Sequence, residues 1–385
     1  MKEKFLRELA DIQTGPFGSQ LHKEDYVADG TPIVTVEHLG NKMFSEQNLP
    51  RVSNTDKNRL KKYVLKQGDI VFSRVGSVDR CSYVDQKHDG WMFSGRCLRV
   101  RPTSEIDSEY LYYYFCLEET KQFVRNIAVG ATMPSINTKL LGEVVVTFPE
   151  LEQQKRISGI LSAIDSKIVV NQKINDNLSD LLQTIYQGQF GKVGLANNRG
   201  ILADICSYSK DKIEISKLSL DTYYSTENML PEKSGAVKAT SLPTTSQTTA
   251  CHKGDTLISN IRPYFKKIVY CEDDCGCSTD VLCFKPVHPR YTAYLFSTLY
   301  ADSFFNFMAA GAKGTKMPRG DKQQIMTYPV VLPSEKDLSE FNSVATPILT
   351  QIYSNRTESE RLSAIRDTLL PKLILGEIDV SSIQL

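Results

Sequence analysis

The chain has 385 residues, of which 41% are hydrophobic and 24% are charged, and its formal net charge at pH 7 is +1. This composition excludes a disordered chain, and the length is sufficient for two or three ordinary domains. The net charge excludes a strongly basic DNA-coating protein, so any DNA binding must depend on local patches or on partner chains.

The sequence predicts a cytoplasmic protein. No apolar run approaches the ~18 residues that a membrane helix needs, and the N-terminal residues lack the apolar core of a signal peptide. The nine cysteines are odd in number, which argues against a disulfide framework. Four of them, Cys271, Cys275, Cys277 and Cys283, lie close together without a standard zinc spacing. We interpret them as buried thiols on strands rather than as a zinc site, and we predict no metal ligands.

The chain contains an internal repeat with an offset of 184 to 188 residues. Landmarks recur in the same order, which chance does not explain. The main pairs are Gly68–Ser73 with Gly254–Ser259, Cys97–Pro102 with Val281–Pro286, Tyr110-Leu111 with Tyr294-Leu295, Thr132-Met133-Pro134 with Lys316-Met317-Pro318, and Phe148-Pro149 with Leu332-Pro333.

The first part of each copy combines strands and helices. Short apolar segments rich in β-branched residues predict strands at Asp69–Ser73, Cys97–Val100 and Val144–Phe148. The segment Glu109–Val124 predicts one helix. Each copy is therefore expected to begin with a globular α/β (α+β) domain.

The second part of each copy is predicted to be a long helix, which begins after Pro149 in the first copy and after Ser334, a capping residue, in the second. Apolar residues alternate at spacings of four and three, as in a coiled coil. The seams are Ile157, Leu161, Ile164, Ile168, Asn171, Asn175, Leu178, Leu182 and Ile185, and then Phe341, Ala345, Ile348, Ile352, Asn355, Ser359, Leu362, Ile365 and Leu369. Asn171 and Asn355 occupy the same seam position and are predicted to meet and to fix the register.

A pseudo-two-fold axis would pair the two helices antiparallel, in a rod of roughly 55 Å with one domain at each end. The alternative is that each helix packs on its own globular domain, but the narrow seam favours the rod. The predicted boundaries are 1–149 and 193–333 for the two globular domains, and 150–192 and 334–385 for the helices with the C-terminal tail.

The sequence lacks the catalytic motifs that we sought. It has no nucleotide-binding G-x4-G-K-[ST], no Asn/Asp-Pro-Pro-aromatic run for base methylation, and no H-E-x-x-H, G-x-S-x-G or dinucleotide fingerprint. We predict no catalytic residues, which favours a binding protein over an enzyme.

Three loops carry amide, hydroxyl and basic side chains of the kind that contact base edges and phosphates. The candidates are Ser19, Gln20, His22 and Lys23 in the first loop; Arg74, Ser77 and Arg80, with Asn260, Arg262, Tyr264, Lys266 and Lys267 in the second copy; Asn137 and Lys139, with Lys313, Lys316 and Arg319 in the second copy; and Arg96. The first loop could also be an ordinary turn, and the charges of the second could equally solvate a hairpin.

Several of these segments resemble the specificity subunits of type I restriction–modification systems, and the resemblance covers the whole chain. The segments are Gly15-Pro16-Phe17-Gly18-Ser19, Gly68–Ser73, Gly130–Ile136, Phe148–Ile157 and Leu369-Leu370-Pro371-Lys372-Leu373. The second copy departs from the pattern, because Pro333–Asp337 lacks the usual Glu-Gln pair at the helix start.

The resemblance implies two target-recognition domains, separated by two antiparallel coiled-coil helices, that read a bipartite target in double-stranded DNA. It also implies two methyltransferase subunits docked on the helices, with restriction subunits outside them. S-adenosylmethionine, ATP and Mg²⁺ would be bound by those partners, and this chain would have no cofactor of its own. Off-seam apolar residues, namely Val169, Ile174, Leu181, Leu349 and Ile374, are expected to face partner helices.

Three other interpretations remain open at this point. The chain could be the specificity subunit of a methylation-only or type IIB-like system, which differs only in its partners. It could be a DNA-cleaving enzyme with an unrecognised site, or a purely structural coiled-coil protein. The last does not explain two diverged domains that carry different basic loops.

Overall fold

A computed structural model describes residues 1–16, 20–192 and 198–381, apart from the side chain of Lys23. The chain forms two compact units. Unit 1 is Met1–Ile168 together with Glu360–Leu385, and unit 2 is Val169–Ser359. The division therefore falls within the two long helices, and not at the ends of the helices as the sequence-based boundaries have it.

Unit 1 contains three small sheets, ordered β2-β9-β6-β7, β3-β5-β4-β8 and β1-β10. Its strands β1 to β10 are Lys2–Phe5, Ala10–Thr14, Tyr26–Val27, Thr31–Val34, Arg51–Val52, Ile70–Ser73, Cys81–Tyr83, Met92–Phe93, Cys97–Pro102 and Val145–Phe148. Its helices α1 to α5 are Leu6–Leu9, Asn54–Arg59, Ser108–Cys116, Glu118–Ile127 and Thr138–Gly142. The predicted strands of this domain are confirmed to within one or two residues.

Unit 2 repeats this plan with sheets β12-β19-β16-β17, β13-β15-β18-β14 and β11-β20. Its strands β11 to β20 are Arg199–Ile201, Cys206–Tyr208, Lys212–Glu214, Tyr223–Tyr224, Gln247–Cys251, Thr256–Ser259, Ile268–Tyr270, Cys275–Cys277, Val281–Pro286 and Pro329–Val331. The long helix α6 spans Leu151–Phe190, and the later helices α7 to α10 are Thr292–Tyr300, Asp302–Ala310, Lys322–Met326 and Glu335–Ile374. The mixed α/β fold class is confirmed.

The central sheet of unit 1 is covered on both faces, which explains its uninterrupted apolar strands. Along β6, Ile70 and Phe72 pack into the core that includes α3 and the long helices. Val71 points the other way, into the core beneath the second sheet. In unit 2, Ile258 and Leu257 divide in the same way between two cores. Side chains that alternate along one of these strands thus pack into the two cores on opposite faces of the sheet.

The predicted single helix over Glu109–Val124 is wrong, because α3 ends at Cys116 and α4 begins at Glu118. Leu117 has extended backbone angles and is buried, so the chain turns there to bring both helices onto the core. Ala301 makes the same turn between α7 and α8. The apolar residue at the break carries none of the Gly or Pro signals that mark a helix end in sequence.

The starts of the long helices are stabilised differently in the two copies. In the first turn of α6, the buried Gln154 side chain donates to the Pro149 carbonyl over 2.9 Å and accepts from the Asp107 amide over 2.8 Å. Before α10, the Ser334 hydroxyl accepts from the Asp337 amide over 3.1 Å, as predicted for a capping residue. The departure of Pro333–Asp337 from the repeat therefore replaces a buried amide with a serine cap.

Each long helix has one part in unit 1 and one part in unit 2, and each part packs into the core of its unit. In unit 1, Ile157 and Leu161 share a core with Leu370, Leu373 and Ile374. In unit 2, the buried apolar residues of α6 and α10 are Leu182, Tyr186, Phe190, Leu338, Phe341, Ala345, Ile348 and Leu349. The C-terminal part of α6 thus packs in unit 2 and that of α10 packs in unit 1, so neither helix is confined to the globular domain of its own copy, as the alternative to the rod required. The expectation that Leu349 and Ile374 face partner helices is corrected, because both are buried in these cores.

The four clustered cysteines are buried in unit 2 with free thiols. Cys275, Cys277 and Cys283 lie on strands, and the sulfur atoms of Cys271 and Cys275 are 3.6 Å apart. A hydrogen bond with Cys275, together with burial, raises the pKa of the Cys271 thiol well above its ordinary value. The interpretation as buried thiols is therefore confirmed. Among the helices of the described ranges, none combines the length and the apolar character needed to cross a membrane.

The core position of Leu161 predicts a large cost for its truncation. Leu161 is 0% exposed, whereas Leu151, on the same helix and in the same unit, is 37% exposed. We expect Leu161→Ala to lower the free energy of unfolding of unit 1 by about 2–5 kcal/mol, and Leu151→Ala to change it by less than about 1 kcal/mol. The single tryptophan, Trp91, lies in unit 1, so its fluorescence during urea unfolding reports this unit. Equal shifts for the two variants would contradict the packing described.

Candidate nucleic-acid interface

The first and second candidate loops of unit 1, together with the segment that carries Arg96, adjoin the same edge of its central sheet. Strands β2 and β6 end at this edge and β9 begins there, because Thr14 pairs with Leu98 and Ser73 pairs with Cys97. The Gly15 amide, at the start of the first loop, donates to the Cys97 carbonyl over 3.2 Å. A Cβ at Gly15 would lie 2.1 Å from the Ser94 carbonyl oxygen, so this close approach requires glycine. We call this surface the loop edge of unit 1.

Backbone hydrogen bonds join the second and third loops into one layer. The Arg74 amide donates to the Arg96 carbonyl over 2.8 Å, the Gly76 amide to the Pro134 carbonyl over 2.8 Å, and the Ile136 amide to the Arg74 carbonyl over 2.9 Å. Residues separated by about 60 positions in sequence are thereby fixed side by side. Arg74, Arg96 and the third loop therefore belong to one surface.

Unit 2 has the same loop edge. The Asn260 amide donates to the Asp280 carbonyl over 2.8 Å, the Arg262 amide to the Pro318 carbonyl over 2.8 Å, and the Gly320 amide to the Asn260 carbonyl over 3.2 Å. The same backbone frame thus carries Arg74, Gly76 and Arg96 in unit 1, where unit 2 has Asn260, Arg262 and Asp280.

The third loop of each unit is a small hairpin. In unit 1 the amides and carbonyls of Val129 and Ser135 bond each other, over 2.9 and 2.8 Å. In unit 2 Lys313 and Arg319 do the same, over 2.9 Å in both directions. Gly130 and Gly314 follow with φ of +112° and +105°, a conformation that favours glycine. We call residues 129–135 and 313–319 the tip hairpins.

Five candidate side chains of unit 1 lie at or beside its loop edge and are exposed, namely Ser77, Arg80, Arg96, Asn137 and Lys139. The Asn137 side-chain oxygen, however, caps α5 by accepting from the Leu140 amide over 2.9 Å. Arg74 is half-buried and donates to the Gly95 carbonyl over 3.1 Å.

The first loop is described only in part. The Gln20 side-chain oxygen accepts from the Tyr63 hydroxyl over 2.5 Å, and the His22 amide donates to the Asp25 carboxylate over 2.6 Å. Ser19 and the side chain of Lys23 lie outside the described residues.

Several candidate cations of unit 2 already have carboxylate partners within their own unit. Lys266 lies 3.0 Å from Asp302, Lys313 lies 2.6 Å from Asp321, and Arg319 lies 3.1 Å from Asp280. Hydrogen bonds from Lys233 and Lys266 hold the pKa of Asp302 below its usual range. Surface pairs of this kind contribute little to stability and exchange readily.

The remaining candidates of unit 2 differ in their access to solvent. Asn260 is only 6% exposed, which argues against a direct base contact by its amide. Lys267 donates to the Thr226 carbonyl over 2.6 Å, and burial lowers the pKa of its ammonium group. Tyr264 and Lys316 are exposed.

The loop edges of both units contain cations without a carboxylate partner. Within the part of the chain that the structure describes, Arg80, Arg96 and Lys139 of unit 1 form no ion pair. In unit 2, Lys266, Lys313 and Arg319 form ion pairs, whereas Arg262, Lys267 and Lys316 do not. Cations of this kind suit phosphate contacts.

Comparisons with known proteins bear on this arrangement. Residues 1–180 match the family model described as the type I restriction modification DNA specificity domain. The type I restriction enzyme MjaIX specificity subunit of Methanocaldococcus jannaschii is 22% identical over 311 residues, which cover 74% of this chain and 72% of that protein. Residues 1–180 are thus similar to a DNA specificity domain of type I restriction systems, and the similarity to the MjaIX specificity subunit extends over most of the chain.

Further similarities are more partial or concern the fold. The type I restriction enzyme HindI specificity subunit of Haemophilus influenzae is 27% identical over 133 residues, covering 34% of this chain and 29% of that subunit. The crystal structure of a type I restriction-modification system S subunit from M. genitalium aligns with a TM-score of 0.56 at 17% identity, covering 97% of this chain and 95% of the other. This likeness shows that the two chains share a fold over nearly their whole length.

One segment of the loop edge of unit 2 was missed by sequence reasoning. Arg262 and Lys266 have φ of +49° and +50°, and the end of the segment that they delimit bonds to a turn in which Glu232 and Lys233 have φ of +51° and +61°. The Glu232 and Lys233 amides donate to the Phe265 and Lys266 carbonyls over 2.8 and 3.0 Å. Such conformations cost on the order of 1–3 kcal/mol each and cluster at functional sites. The turn signal Pro231–Gly235 could have marked this segment.

The polar seam residues of unit 2 lie against one another. Asn171 donates to the Asn355 carbonyl over 3.3 Å, and Asn355 donates to the Asn175 side-chain oxygen over 2.8 Å. Asn175 donates to the Ile352 carbonyl over 3.1 Å, so α6 and α10 run antiparallel within this unit. The structure thus places Asn171 beside Asn355, as the sequence predicts, while the role of the pair in setting register stays a prediction.

Replacement of either asparagine by leucine is expected to lower the free energy of unfolding. The Asn171 amide group donates to the Asn355 carbonyl, to Glu358 over 2.8 Å and to Ser359 over 3.2 Å, so Asn171→Leu removes three hydrogen bonds and should cost about 1–3 kcal/mol. Asn355→Leu should cost a similar amount, because Asn175 loses its donor. Thermal unfolding of both variants measures the two changes. A gain in stability in both variants would show that the network is misassigned.

Proposed function

We propose that this chain is the DNA-reading subunit of a type I restriction–modification enzyme, and that it binds a bipartite target in double-stranded DNA. Unit 1 contacts one half of the target and unit 2 contacts the other. One observation carries the proposal: both units present the same backbone frame at the same edge of the same sheet, with different side chains on it.

A constant frame with exchanged side chains is what two readers of different half-sites require. Where unit 1 places Arg74, Gly76 and Arg96, unit 2 places Asn260, Arg262 and Asp280. Guanidinium groups donate to guanine, whereas carboxylates accept from cytosine, so the exchange changes the base edges that fit. Because the frame uses backbone atoms, it tolerates these changes.

The partners follow from an uncovered apolar stripe on α6. Val170, Ile174 and Leu181 are exposed and lie within about 40° of one another around the helix, at ~100° per residue. Exposed apolar stripes of this kind mark contacts with other proteins. We infer that methyltransferase helices dock here, two such subunits per chain, with restriction subunits outside them. The complex acts in the cytoplasm.

The catalytic work of the complex lies with these partners. S-adenosylmethionine is bound by the methyltransferase subunits, and ATP and Mg²⁺ by the restriction subunits. This chain supplies target recognition and a scaffold, and is not itself an enzyme.

Removal of exposed charges from one loop edge should damage recognition of one half-site only. We expect Arg80→Ala with Arg96→Ala to relax the half read by unit 1, and Lys316→Ala with Arg319→Ala to relax the other half. Each lost bidentate base contact costs about 1–3 kcal/mol. Genome-wide mapping of methylated sites, in cells carrying the chain and its methyltransferase, identifies the altered half.

Matched controls exist at the opposite end of each central sheet. Lys4 pairs with Glu105 beyond the end of β9, and Lys285 pairs with Asp211 at the end of β19. Lys4→Ala and Lys285→Ala remove a charge from the same units and should leave the methylated sequence unchanged. An unchanged motif in both loop-edge double variants, or an altered motif in the controls, would refute the placement of the readers.

The apolar stripe gives a separate test of the scaffold. Ile174→Asp with Leu181→Asp should abolish co-purification with the methyltransferase, because charges would replace the apolar contact. Both side chains are exposed, so the thermal midpoint of the isolated chain should change little. Undiminished co-purification would remove α6 as the docking surface.

A further inference from the structure

We propose that Met133 and Met317, at the ends of the two tip hairpins, are apolar wedges that insert into the groove of bound DNA, one in each half-site. The inference rests on the proposed function and deepens it. It assigns a role to a feature that both units share, whereas the base-reading role depends on features in which they differ.

The two methionines contribute little to the stability of their units. Met133 is 64% exposed and Met317 is 47% exposed, and neither belongs to a hydrophobic core of its unit. Each is followed by a proline, Pro134 or Pro318, whose fixed φ stiffens the tip. Long apolar side chains that a stiff backbone exposes to water typically mark a surface that a binding partner covers.

The backbone holds both methionines in equivalent places. Ser135 bridges to Val129 within the hairpin and also to Val75 of the second loop. Arg319 bridges in the same way to Lys313 and Ile261. A Cβ at Gly130 would lie 2.7 Å from the Met133 carbonyl oxygen, so the tight turn that presents Met133 requires glycine. The wedge is therefore fixed relative to the reading residues of its own unit.

The neighbours of each methionine differ between units, but the Met-Pro pair does not. Thr132 and Ser135 flank it in unit 1, where Lys316 and Arg319 flank it in unit 2. A side chain that reads a particular base should differ between readers of different half-sites. A shared apolar side chain fits what all duplexes have in common, namely the deoxyribose rims of the groove and the faces of stacked bases.

The surroundings favour DNA over a protein partner. Hydroxyl side chains of Thr132 and Ser135 flank the methionine of unit 1, where one further exposed apolar side chain, Val129, lies in the hairpin, and the cations Lys316 and Arg319 flank the methionine of unit 2. An apolar wedge within a polar and basic rim is typical of proteins that enter the minor groove and partly unstack a base step. The unbranched thioether of methionine fills irregular gaps, which suits an opened step.

The proposal predicts a loss of affinity that is independent of sequence. The full-length chain with a co-expressed type I methyltransferase is titrated against duplexes that contain the mapped target and against unrelated duplexes. We expect Met133→Ala and Met317→Ala each to weaken binding to both kinds of duplex by about tenfold, the effect of losing a largely buried side chain. The dependence on salt should stay unchanged, because no charge is removed.

A structural readout separates a wedge from a simple contact. 2-Aminopurine is placed at successive positions of the target duplex, and its fluorescence rises where stacking is lost. We expect an increase at one step in each half-site with the wild-type chain, lost in one half with Met133→Ala and in the other with Met317→Ala. Met→Leu variants at these positions should retain it, since a long apolar side chain remains.

The controls distinguish the possible failures. Val287→Ala removes an apolar side chain that is 56% exposed, beyond the opposite end of β19, and should change neither readout. If the wild-type complex discriminates its target but the alanine variants bind like the wild type, the wedge is refuted and the proposed function stands. A loss confined to the target duplex would instead make the methionines base readers and also refute the wedge. If the wild-type complex binds no DNA, both proposals fall.

Discussion

The hydrogen bonds that fix residues 74–76 beside residues 134–136, and residues 260–262 beside residues 318–320, are the constraint on which the rest of the structure depends. They use backbone atoms, so the side chains at the loop edges can change while the frame persists. The frame in turn requires strands such as β6 and β16 to be buried on both faces, since only a rigid sheet holds two distant loops in register. In these segments the backbone atoms thereby maintain the structure, while the exposed side chains remain available for recognition.

Much of this frame could be predicted from the sequence, and what escaped prediction has a physical cause. The apolar strands Ile70–Ser73 and Cys97–Pro102 and the starts of the long helices carry strong local signals. The break at Leu117 carries none, because an apolar residue suits a helix as well as a buried turn. The neutralisation of Lys266 by Asp302 and the burial of Asn260 depend on residues that are distant in sequence. Which loop residue is free to meet DNA is thus a tertiary property that no motif reveals.

The long helices tie the end of the chain to its beginning. Leu373, Ile374 and Val380 share a core with Leu6 and Leu9, and Arg366 pairs with Asp165 over 2.8 Å while the Tyr113 hydroxyl donates to the same carboxylate over 2.6 Å. Unit 1 therefore cannot complete its core until the last residues have been synthesised. In the sequence, unit 2 comes between the two segments of unit 1 and is itself continuous. The internal repeat suggests two equal, consecutive domains, but a helix that closes on the N-terminal core makes one of them discontinuous.

The ion pairs at the loop edges bear on how each unit would hold DNA. In unit 2, Lys313 and Arg319 must exchange Asp321 and Asp280 for phosphates, so each new contact replaces an existing one and the gain is small. Exposed cations without an ion pair within the described residues, such as Arg80 and Arg96 in unit 1 and Lys316 in unit 2, gain a phosphate without losing a carboxylate, and they displace the counterions of the duplex. A chain with a net charge of only +1 can therefore attract DNA through a few local cations at each edge. Discrimination in unit 2 can in addition use hydrogen-bond geometry, because backbone hydrogen bonds and positive φ angles fix the loop from Arg262 to Lys266.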